Sequence, residues 1–163
     1  VPVQTLVNRY EAPLYVYDLE KIESQYNRLK SAFSGTRMKI MYACKALTNI
    51  SVLRFFNQMG SGVDTVSIQE LHIALKAGFA PENIMFTPNC VSFEEIQEAV
   101  RYGVNINIDN ISILEQFGNT YGDTVPVCIR LNPHIFAGGN PKISVGHIDS
   151  KFGISVHQMR HVH

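Results

Sequence analysis

The chain has 163 residues, of which 45% are hydrophobic and 17% are charged, and its 14 basic residues balance its 14 acidic ones. This length and apolar content suit one domain with a well-buried core, and they exclude an intrinsically disordered chain. Zero net charge disfavours a nucleic-acid-binding protein, which would carry an excess of basic residues. No apolar stretch approaches the roughly 20 residues that cross a bilayer, and no signal peptide is recognisable, so we expect a cytoplasmic protein without a membrane partner.

The first predicted elements are a short apolar stretch and an amphipathic helix. Leu14–Tyr17 has the composition of a short strand that need not join the main sheet. After it, apolar residues recur at helical spacing from Leu19 to Phe33, and Asp18 stands in the N-cap position. The sequence therefore predicts a helix that begins immediately after Asp18.

A repeated unit of strand and helix follows. Two stretches have the capping-box spacing of a helix start, Ser67 with Glu70 and Ser92 with Glu95. The apolar runs around them are continuous rather than alternating, which is typical of parallel strands buried on both faces. These runs predict five strands that start 20 to 24 residues apart: Met38–Ala43, Gly62–Val66, Ile84–Thr87, Val104–Ile108 and Val127–Leu131.

Two α/β architectures accommodate five such units, a doubly wound open sheet and part of a (β/α)8 barrel. No G-x-G-x-x-G sequence follows the first strand, so the open sheet lacks support. Polar residues stand at or just beyond the strand ends, where the active sites of barrels lie: Lys45, Asp64, Asn89, Asp109 and Arg130. We therefore expect a partial (β/α)8 TIM-type barrel with about five of its eight βα units, and a fragment, because five strands cannot close a barrel.

Lys45 is the strongest candidate for chemistry. It follows an apolar strand and has small neighbours within the stretch Tyr42–Ala46. A partly desolvated lysine with a lowered pKa suits imine formation with an aldehyde, and a lysine that extends into solvent at a barrel rim explains the position equally well. Asp64 lies inside an otherwise apolar strand, and Lys45 on the neighbouring strand is its nearest candidate partner.

Three other features each have two interpretations. For Glu70, the role of capping partner to Ser67 is favoured over a direct role in catalysis. Arg130 offers a fixed fork for a carboxylate or phosphate, or a partner for an acidic neighbour. The glycine-rich stretch Ala137–Lys142 opens no helix, so an ordinary loop is favoured over a phosphate-binding one.

No metal or disulfide site is predicted. Cys44, Cys90 and Cys128 are odd in number and form no C-x-x-C pair, so we expect small buried apolar residues at all three positions. His157 and His161 lack the carboxylate partner of a metal site at this spacing, and a solvated helix face is favoured.

Four motifs occur in a characteristic order. They are Y-A-C-K-A at 42–46, D-T-V-S-I-Q-E-L at 64–71, I-R-L-N-P at 129–133 and S-K-F-G at 150–153. In this order they resemble the diaminopimelate decarboxylases, a family in the alanine-racemase-like barrel group of pyridoxal-phosphate enzymes. The resemblance extends over residues 13–154, nearly the whole chain.

The resemblance implies a set of site residues around one cofactor, pyridoxal 5'-phosphate. Lys45 would hold the cofactor as a Schiff base, Asp64 would lie beside the cofactor and that lysine, and Arg130 would line the same pocket. Ala43 and Glu70 match positions near the cofactor in the wider group. The resemblance assigns no role to Lys151 in the S-K-F-G motif.

The resemblance also indicates what residues 1–163 lack. Leu47 stands where many members have asparagine, and Thr87–Asn89 replaces a His-Gly-Asn-like stretch. The family's ring-stacking histidine, glycine-rich phosphate loop, acidic partner of the ring nitrogen and second, β-rich domain have no counterpart in this chain. We therefore expect the N-terminal part of a pyridoxal-phosphate-binding barrel domain, inactive and poorly stable alone, from a protein that forms homodimers.

The implied function is decarboxylation of an amino acid, meso-2,6-diaminoheptanedioate (diaminopimelate), to L-lysine and CO2, the last step of lysine biosynthesis. Decarboxylation of ornithine, arginine or carboxynorspermidine on the same fold stays open. So does a non-catalytic homologue that acts by protein binding. A Schiff-base aldolase barrel would also place a lysine at a strand end, but it leaves the motifs at 129–133 and 150–153 unexplained.

Overall fold

The chain divides into two compact units, Val1–Met38 and Lys39–His163, and the computed structural model describes residues 1–135, 146 and 150–159. The first unit contains helices α1 (Val3–Tyr10) and α2 (Leu19–Ala32). Asp18 caps α2, as predicted, because its side chain accepts a hydrogen bond of 3.0 Å from the Lys21 backbone N–H. The strand expected at Leu14–Tyr17 is wrong, because this backbone joins no hydrogen-bonded ladder among the described residues.

The second unit contains alternating strands and helices. Its elements are β1 (Met41–Ala43), α3 (Ile50–Gln58), β2 (Gly62–Thr65), α4 (Ile68–Lys76), β3 (Ile84–Phe86), α5 (Phe93–Arg101), β4 (Asn105–Ile108), α6 (Ile111–Tyr121), β5 (Val127–Ile129), β6 (Leu131–Asn132) and β7 (Ile154–Ser155). The first five strands form one sheet in the order β1-β2-β3-β4-β5, and every neighbouring pair is parallel. The predicted α/β fold, with five βα units of a barrel, is confirmed. None of the described helices is both long and apolar enough to cross a membrane.

The two faces of this sheet differ in composition. One face is apolar and buried, and together with residues of the helices it forms a single core; its strand residues include Val63, Ile84, Phe86, Ile106 and Ile108. Because side chains alternate along a strand, the residues between them lie on the opposite face. That second face includes Ala43, Asp64 and Met85, which are only half-buried. The polar candidate Asp64 therefore lies on the face that the helices do not cover.

The helices begin and end where the sequence predicted. Ser67 accepts a hydrogen bond from the Glu70 backbone N–H at the start of α4. At the start of α5, Ser92 and Glu95 make both hydrogen bonds of a capping box. Positive-φ glycines follow the ends of three helices, and these are Gly60, Gly78 and Gly103. Local signals thus determine where α4 and α5 begin after β2 and β3.

The fifth predicted strand is interrupted at Arg130. Its backbone N–H donates to Ile108 of β4 at 2.8 Å, and its carbonyl accepts from Ile154 of β7 at 2.7 Å. Arg130 therefore separates β5 from β6, and β6 pairs in parallel with β7. The main chain turns from one ladder to the next at a residue that is itself a site candidate.

Candidate active site

The polar residues at the strand ends occupy the same end of the parallel sheet. Lys45 and Asn89 follow β1 and β3, Asp109 directly follows β4, Arg130 directly follows β5, and Asp64 is the third residue of β2. Since all five strands run in one direction, these positions share the carboxyl edge, as the sequence predicted.

Lys45 lies on a short turn that two hydrogen bonds fix. The chain leaves β1 at Ala43 and forms one 3-10 turn over Cys44–Ala46, closed by a 3.1 Å bond from Leu47 N–H to the Cys44 carbonyl. The Tyr42 hydroxyl donates to the Leu47 carbonyl at 3.2 Å, so that the turn is bound at both ends. Tyr42 is itself held by stacking on a ring of α3, with the two ring centroids 3.9 Å apart.

The side chain of Lys45 is exposed, which agrees with a lysine that extends into solvent, the second of the two interpretations that the sequence left open. Among the described residues, its ammonium group forms no ion pair with Asp64. The reason is geometric, because Asp64 is level with Ala43, whereas the chain has already turned away from the strand direction at Lys45. An exposed amine without a carboxylate partner is open to an incoming ligand.

Asp64 is held by the neighbouring strand on its other side. The Thr87 hydroxyl donates a 2.6 Å hydrogen bond to Asp64 Oδ1. Thr87 reaches this position because its backbone N–H still bonds to the Thr65 carbonyl, which continues the β2–β3 ladder by one residue. Thr87 was not among the predicted site residues. A hydroxyl side chain at the end of a strand next to Asp64 is the feature that could have indicated it. Asp64 is thereby fixed in orientation on the same face as Ala43.

Glu70 serves the start of α4. Its carboxylate accepts a 2.9 Å hydrogen bond from the Val66 backbone N–H, while its own N–H donates to Ser67 at 3.2 Å. This is the capping role that the sequence favoured, with Val66 rather than Ser67 as the reciprocal donor. Glu70 also lies close enough to Cys44 to raise the pKa of that thiol electrostatically. The hydrogen bonds of Glu70 therefore give it a structural role at the start of α4.

Cys44 is fully buried, as predicted, whereas Cys90 and Cys128 are exposed, which corrects the expectation for those two. The reason for Cys128 is its position on the sheet face that the helices do not cover, level with Asn107. Burial, and then the negative charges of Glu70 and Asp64, raise the pKa of the Cys44 thiol to about 12. The thiol next to Lys45 is thus protonated and unreactive at neutral pH.

This difference predicts a selective labelling pattern. Iodoacetamide at about pH 8 is expected to modify Cys90 in the native protein and to leave Cys44 unmodified, because the reagent needs an accessible thiolate. Peptide mass spectrometry reads the pattern, and a denatured sample labelled at all three cysteines is the control. The raised pKa also means that the Cys44 contribution to stability falls as the pH rises from 9.0 towards about 12, since the unfolded thiol releases its proton first. Native labelling of Cys44 at the rate of Cys90 would contradict the prediction.

A hydrogen-bonded network connects the ends of β3 and β4. The Asn89 amide donates to Asp109 Oδ2, and Asn110 donates to Asp109 Oδ1 at 3.2 Å. Asp109 is buried, so these donors replace the water that a carboxylate would otherwise bind. On the same face, the buried amide oxygen of Asn107 has no hydrogen-bond partner among the described residues. The sequence placed Asn89 and Asp109 at the same edge without connecting them.

Arg130 is half-buried, and an aromatic ring covers its guanidinium. The Arg130 Cζ atom lies 4.5 Å from the centroid of the Phe152 ring, and the Lys151 ammonium lies 5.1 Å from the same centroid. No carboxylate lies within salt-bridge distance of Arg130 among the described residues. The alternative of an acidic neighbour as its partner is therefore not realised in that part of the chain.

Among the C-terminal histidines, the structure describes His134 and His157. The rings of His134 and His157 lie with centroids 5.3 Å apart. Within the described residues, no group of three or more metal-binding side chains comes together. His161 and the stretch Ala137–Lys142 lie outside the described residues.

Comparison with known proteins identifies the family. Residues 19–163 match the family model for the pyridoxal-binding domain of pyridoxal-dependent decarboxylases. The chain belongs to this family. The family model is that of a pyridoxal-binding domain, so the cofactor of this domain is pyridoxal phosphate.

Relatives in the decarboxylase family agree in sequence and in fold. A diaminopimelate decarboxylase from Methanothermobacter thermautotrophicus is 41% identical over 151 residues, which are 91% of this chain and 35% of the relative. The crystal structure of the Helicobacter pylori diaminopimelate decarboxylase with L-lysine superposes with a TM-score of 0.90 at 33% identity, covering 99% of this chain and 42% of that one. A lysine/ornithine decarboxylase from Vibrio vulnificus, complexed with putrescine, gives 0.78 at 25% identity, covering 98% and 39%. The chain thus spans well under half the length of these relatives.

The donor set of this decarboxylase domain fits the cofactor. Pyridoxal phosphate presents an aldehyde, which needs an amine, and a phosphate, which needs cationic or N–H donors. Lys45 supplies an exposed amine at the carboxyl edge, and Arg130 supplies a guanidinium with no acidic partner in the described part of the chain. The small side chain of Ala43 lies on the same face as Asp64.

Proposed function

We propose that the whole protein decarboxylates meso-2,6-diaminoheptanedioate to L-lysine and CO2, the last step of lysine biosynthesis. The observation that carries the proposal is the exposed Lys45 amine on a fixed turn at the carboxyl edge, without a carboxylate partner among the described residues. A lysine that only extends into solvent at a barrel rim would be exposed as well. The match of residues 19–163 to the pyridoxal-binding domain of pyridoxal-dependent decarboxylases favours an amine that holds the cofactor.

The roles of the residues follow from their charges and supports. Lys45 provides the amine that attaches the cofactor's aldehyde carbon, and the Tyr42 bond to Leu47 keeps the turn from rotating. The cofactor supplies the electron sink that accepts the electron pair released when CO2 leaves. We propose that Asp64, oriented by Thr87, presents its negative charge to the cofactor on the sheet face that it shares with Ala43.

Arg130 and Glu70 have supporting roles in this proposal. The Arg130 guanidinium is a fixed cation at the same edge, suited to an anionic group of the cofactor or substrate. Glu70 keeps α4 in place through Val66, and we propose that it acts on the site through that helix start. Ala43 contributes by its small size.

The choice of substrate rests on sequence likeness. Identities of 41% and 36% to diaminopimelate decarboxylases exceed the 25% to the lysine/ornithine decarboxylase. That second structure nonetheless has the same fold over 98% of this chain, so it supports decarboxylation of a basic amino acid such as ornithine as the alternative. Diaminopimelate carries a carboxylate at each end, whereas ornithine carries one carboxylate and a distal ammonium group. The second carboxylate makes the two substrates distinguishable.

The proposal extends to the architecture of the whole protein. Residues 1–163 would form the N-terminal part of the pyridoxal-binding barrel, whose remaining strands and β-rich domain complete the site across a homodimer. The shares of 35% and 42% of the relatives' lengths support this arrangement. Gel filtration with light scattering of the whole protein checks it, and a monomer with full activity would contradict it.

Two measurements on the whole protein test the function. Borohydride reduction in the presence of pyridoxal phosphate, followed by peptide mass mapping, is expected to place the pyridoxyl group on Lys45. Release of CO2 is then compared for meso-diaminopimelate, L-ornithine, L-arginine and L-lysine, and we expect turnover with the first alone. A pyridoxyl group on another lysine would refute the cofactor assignment, and turnover with ornithine alone would establish the alternative substrate. A label on Lys45 with no CO2 release from any of the four would favour a non-catalytic homologue.

A further inference from the structure

Phe152, in the S-K-F-G motif, covers the guanidinium of Arg130. The Cζ atom lies 4.5 Å from the ring centroid, which is within the range of a cation–π contact. In the described part of the chain no carboxylate is near enough to hold this guanidinium in place of the ring. Among the described residues, the guanidinium of Arg130 thus has a ring contact and no ion pair.

The backbone around Phe152 is built to bring the ring to this place. Ile154 N–H donates to the Arg130 carbonyl at 2.7 Å, so the motif is attached to the main chain of the same arginine. Gly153 has a φ of 81°, and a Cβ there would lie 2.9 Å from the Asn132 nitrogen and 3.1 Å from the Arg130 carbonyl oxygen. Only glycine permits this approach. At the other end, Ser150 Oγ accepts a 3.3 Å bond from the Phe152 N–H.

We infer that Phe152 is a positioning residue for Arg130, and that the S-K-F-G motif exists to hold the arginine at both its backbone and its side chain. Gly153 permits the close approach, Ile154 binds the carbonyl, and Phe152 restricts the guanidinium to one plane. The value of this to catalysis rests on the proposed function, in which Arg130 faces an anionic group of the cofactor or substrate. The contact between ring and guanidinium does not depend on that function.

The first test uses an arginine-selective reagent on the whole protein without cofactor. Phenylglyoxal modification of Arg130, followed by peptide mass spectrometry, is expected to accelerate about two- to fivefold in Phe152→Leu, because the ring no longer covers the guanidinium. Phe152→Met is expected to behave in the same way, and it serves if the leucine variant does not fold. Phe152→Tyr keeps the aromatic face and is expected to restore the native rate.

Two internal controls separate positioning from general loosening. Phe93 is another half-buried phenylalanine, packed on the main core, and Phe93→Leu is expected to leave the Arg130 rate unchanged. The exposed arginines Arg54 and Arg101 should react at native rates in every variant. An unchanged Arg130 rate in Phe152→Leu, or equal acceleration at Arg54 and Arg101, would overturn the inference.

A second measurement links the positioning to the cofactor. Phe152→Leu is expected to weaken the affinity of the whole protein for pyridoxal phosphate about two- to fivefold. In the Arg130→Met variant, adding Phe152→Leu is expected to cause no further loss of affinity. Equal effects of Phe152→Leu in both backgrounds would show that the ring acts through β6 and β7 instead, and would overturn the inference. If phenylglyoxal reactivity changes and cofactor affinity does not, the result supports the positioning of Arg130 by Phe152. The same result contradicts the proposal that Arg130 belongs to the cofactor site.

Discussion

Replacing Lys45 by alanine in the whole protein is expected to abolish borohydride labelling by pyridoxal phosphate and to lower kcat on the order of 10⁴-fold. Losses of this size are typical when a covalent catalytic group is removed, because no neighbouring side chain can replace it. In this chain the turn over Cys44–Ala46 presents one lysine, and the adjacent buried thiol is protonated, with its pKa raised to about 12. Absorbance of the bound cofactor and CO2 release measure the two losses.

Lys39 provides the matched control for this substitution. It lies before β1, at the opposite end of the strand from Lys45, and its ammonium group bonds to the Glu82 carbonyl and the Asn83 side chain. Lys39→Ala is expected to retain the label on Lys45 and to keep kcat within about twofold, since a surface contact of this kind contributes little. Retention of CO2 release by Lys45→Ala at near the native rate would show that Lys45 is not the attachment residue.

The sequence predicted the repeating fold well, because its signals are local. Capping by Ser67 and Ser92 depends on residues three positions away, and continuous apolar runs identify parallel strands without knowledge of their neighbours. The strand predicted at Leu14–Tyr17 was wrong because that prediction also used local signals alone. Its composition is that of a strand, but a strand requires a partner that composition does not reveal.

The candidate site was only partly predictable, because its contacts join residues that are distant along the chain. Asp64 was assigned to Lys45 on the ground that the two strands are neighbours, yet the other neighbour of β2 supplies Thr87. The direction of a side chain at a strand end depends on how the chain leaves the sheet, and the turn at Cys44–Ala46 cannot be deduced from apolar periodicity. Likewise, Phe152 meets Arg130 only because β7 pairs with β6.

Gly62 shows how the sheet below the site limits what the site can tolerate. Its register partner is Met41, at the start of the strand that leads to Lys45. A Cβ built on Gly62 would overlap the Met41 sulfur and lie 2.8 Å from the Asn83 carbonyl oxygen. The methionine side chain can rotate away, but the carbonyl belongs to the backbone and cannot move without displacing the start of β3.

We therefore expect Gly62→Ala to lower the free energy of unfolding of the whole protein by about 3 kcal/mol, the upper end of the cost of one added methyl group in a packed site. Gly118, within α6, has no atom within 4 Å of a built Cβ, so Gly118→Ala is the control and is expected to be neutral or to stabilise the helix by up to about 1 kcal/mol. Adding Met41→Ala to Gly62→Ala should recover only part of the loss, because the Asn83 carbonyl remains. Full recovery in that double variant, measured by urea denaturation, would show that the side chain alone excludes a Cβ at position 62. Because β1 leads into the turn that carries Lys45, the double variant, which keeps part of the stability loss, is also expected to give a lower yield of pyridoxyl label at that lysine.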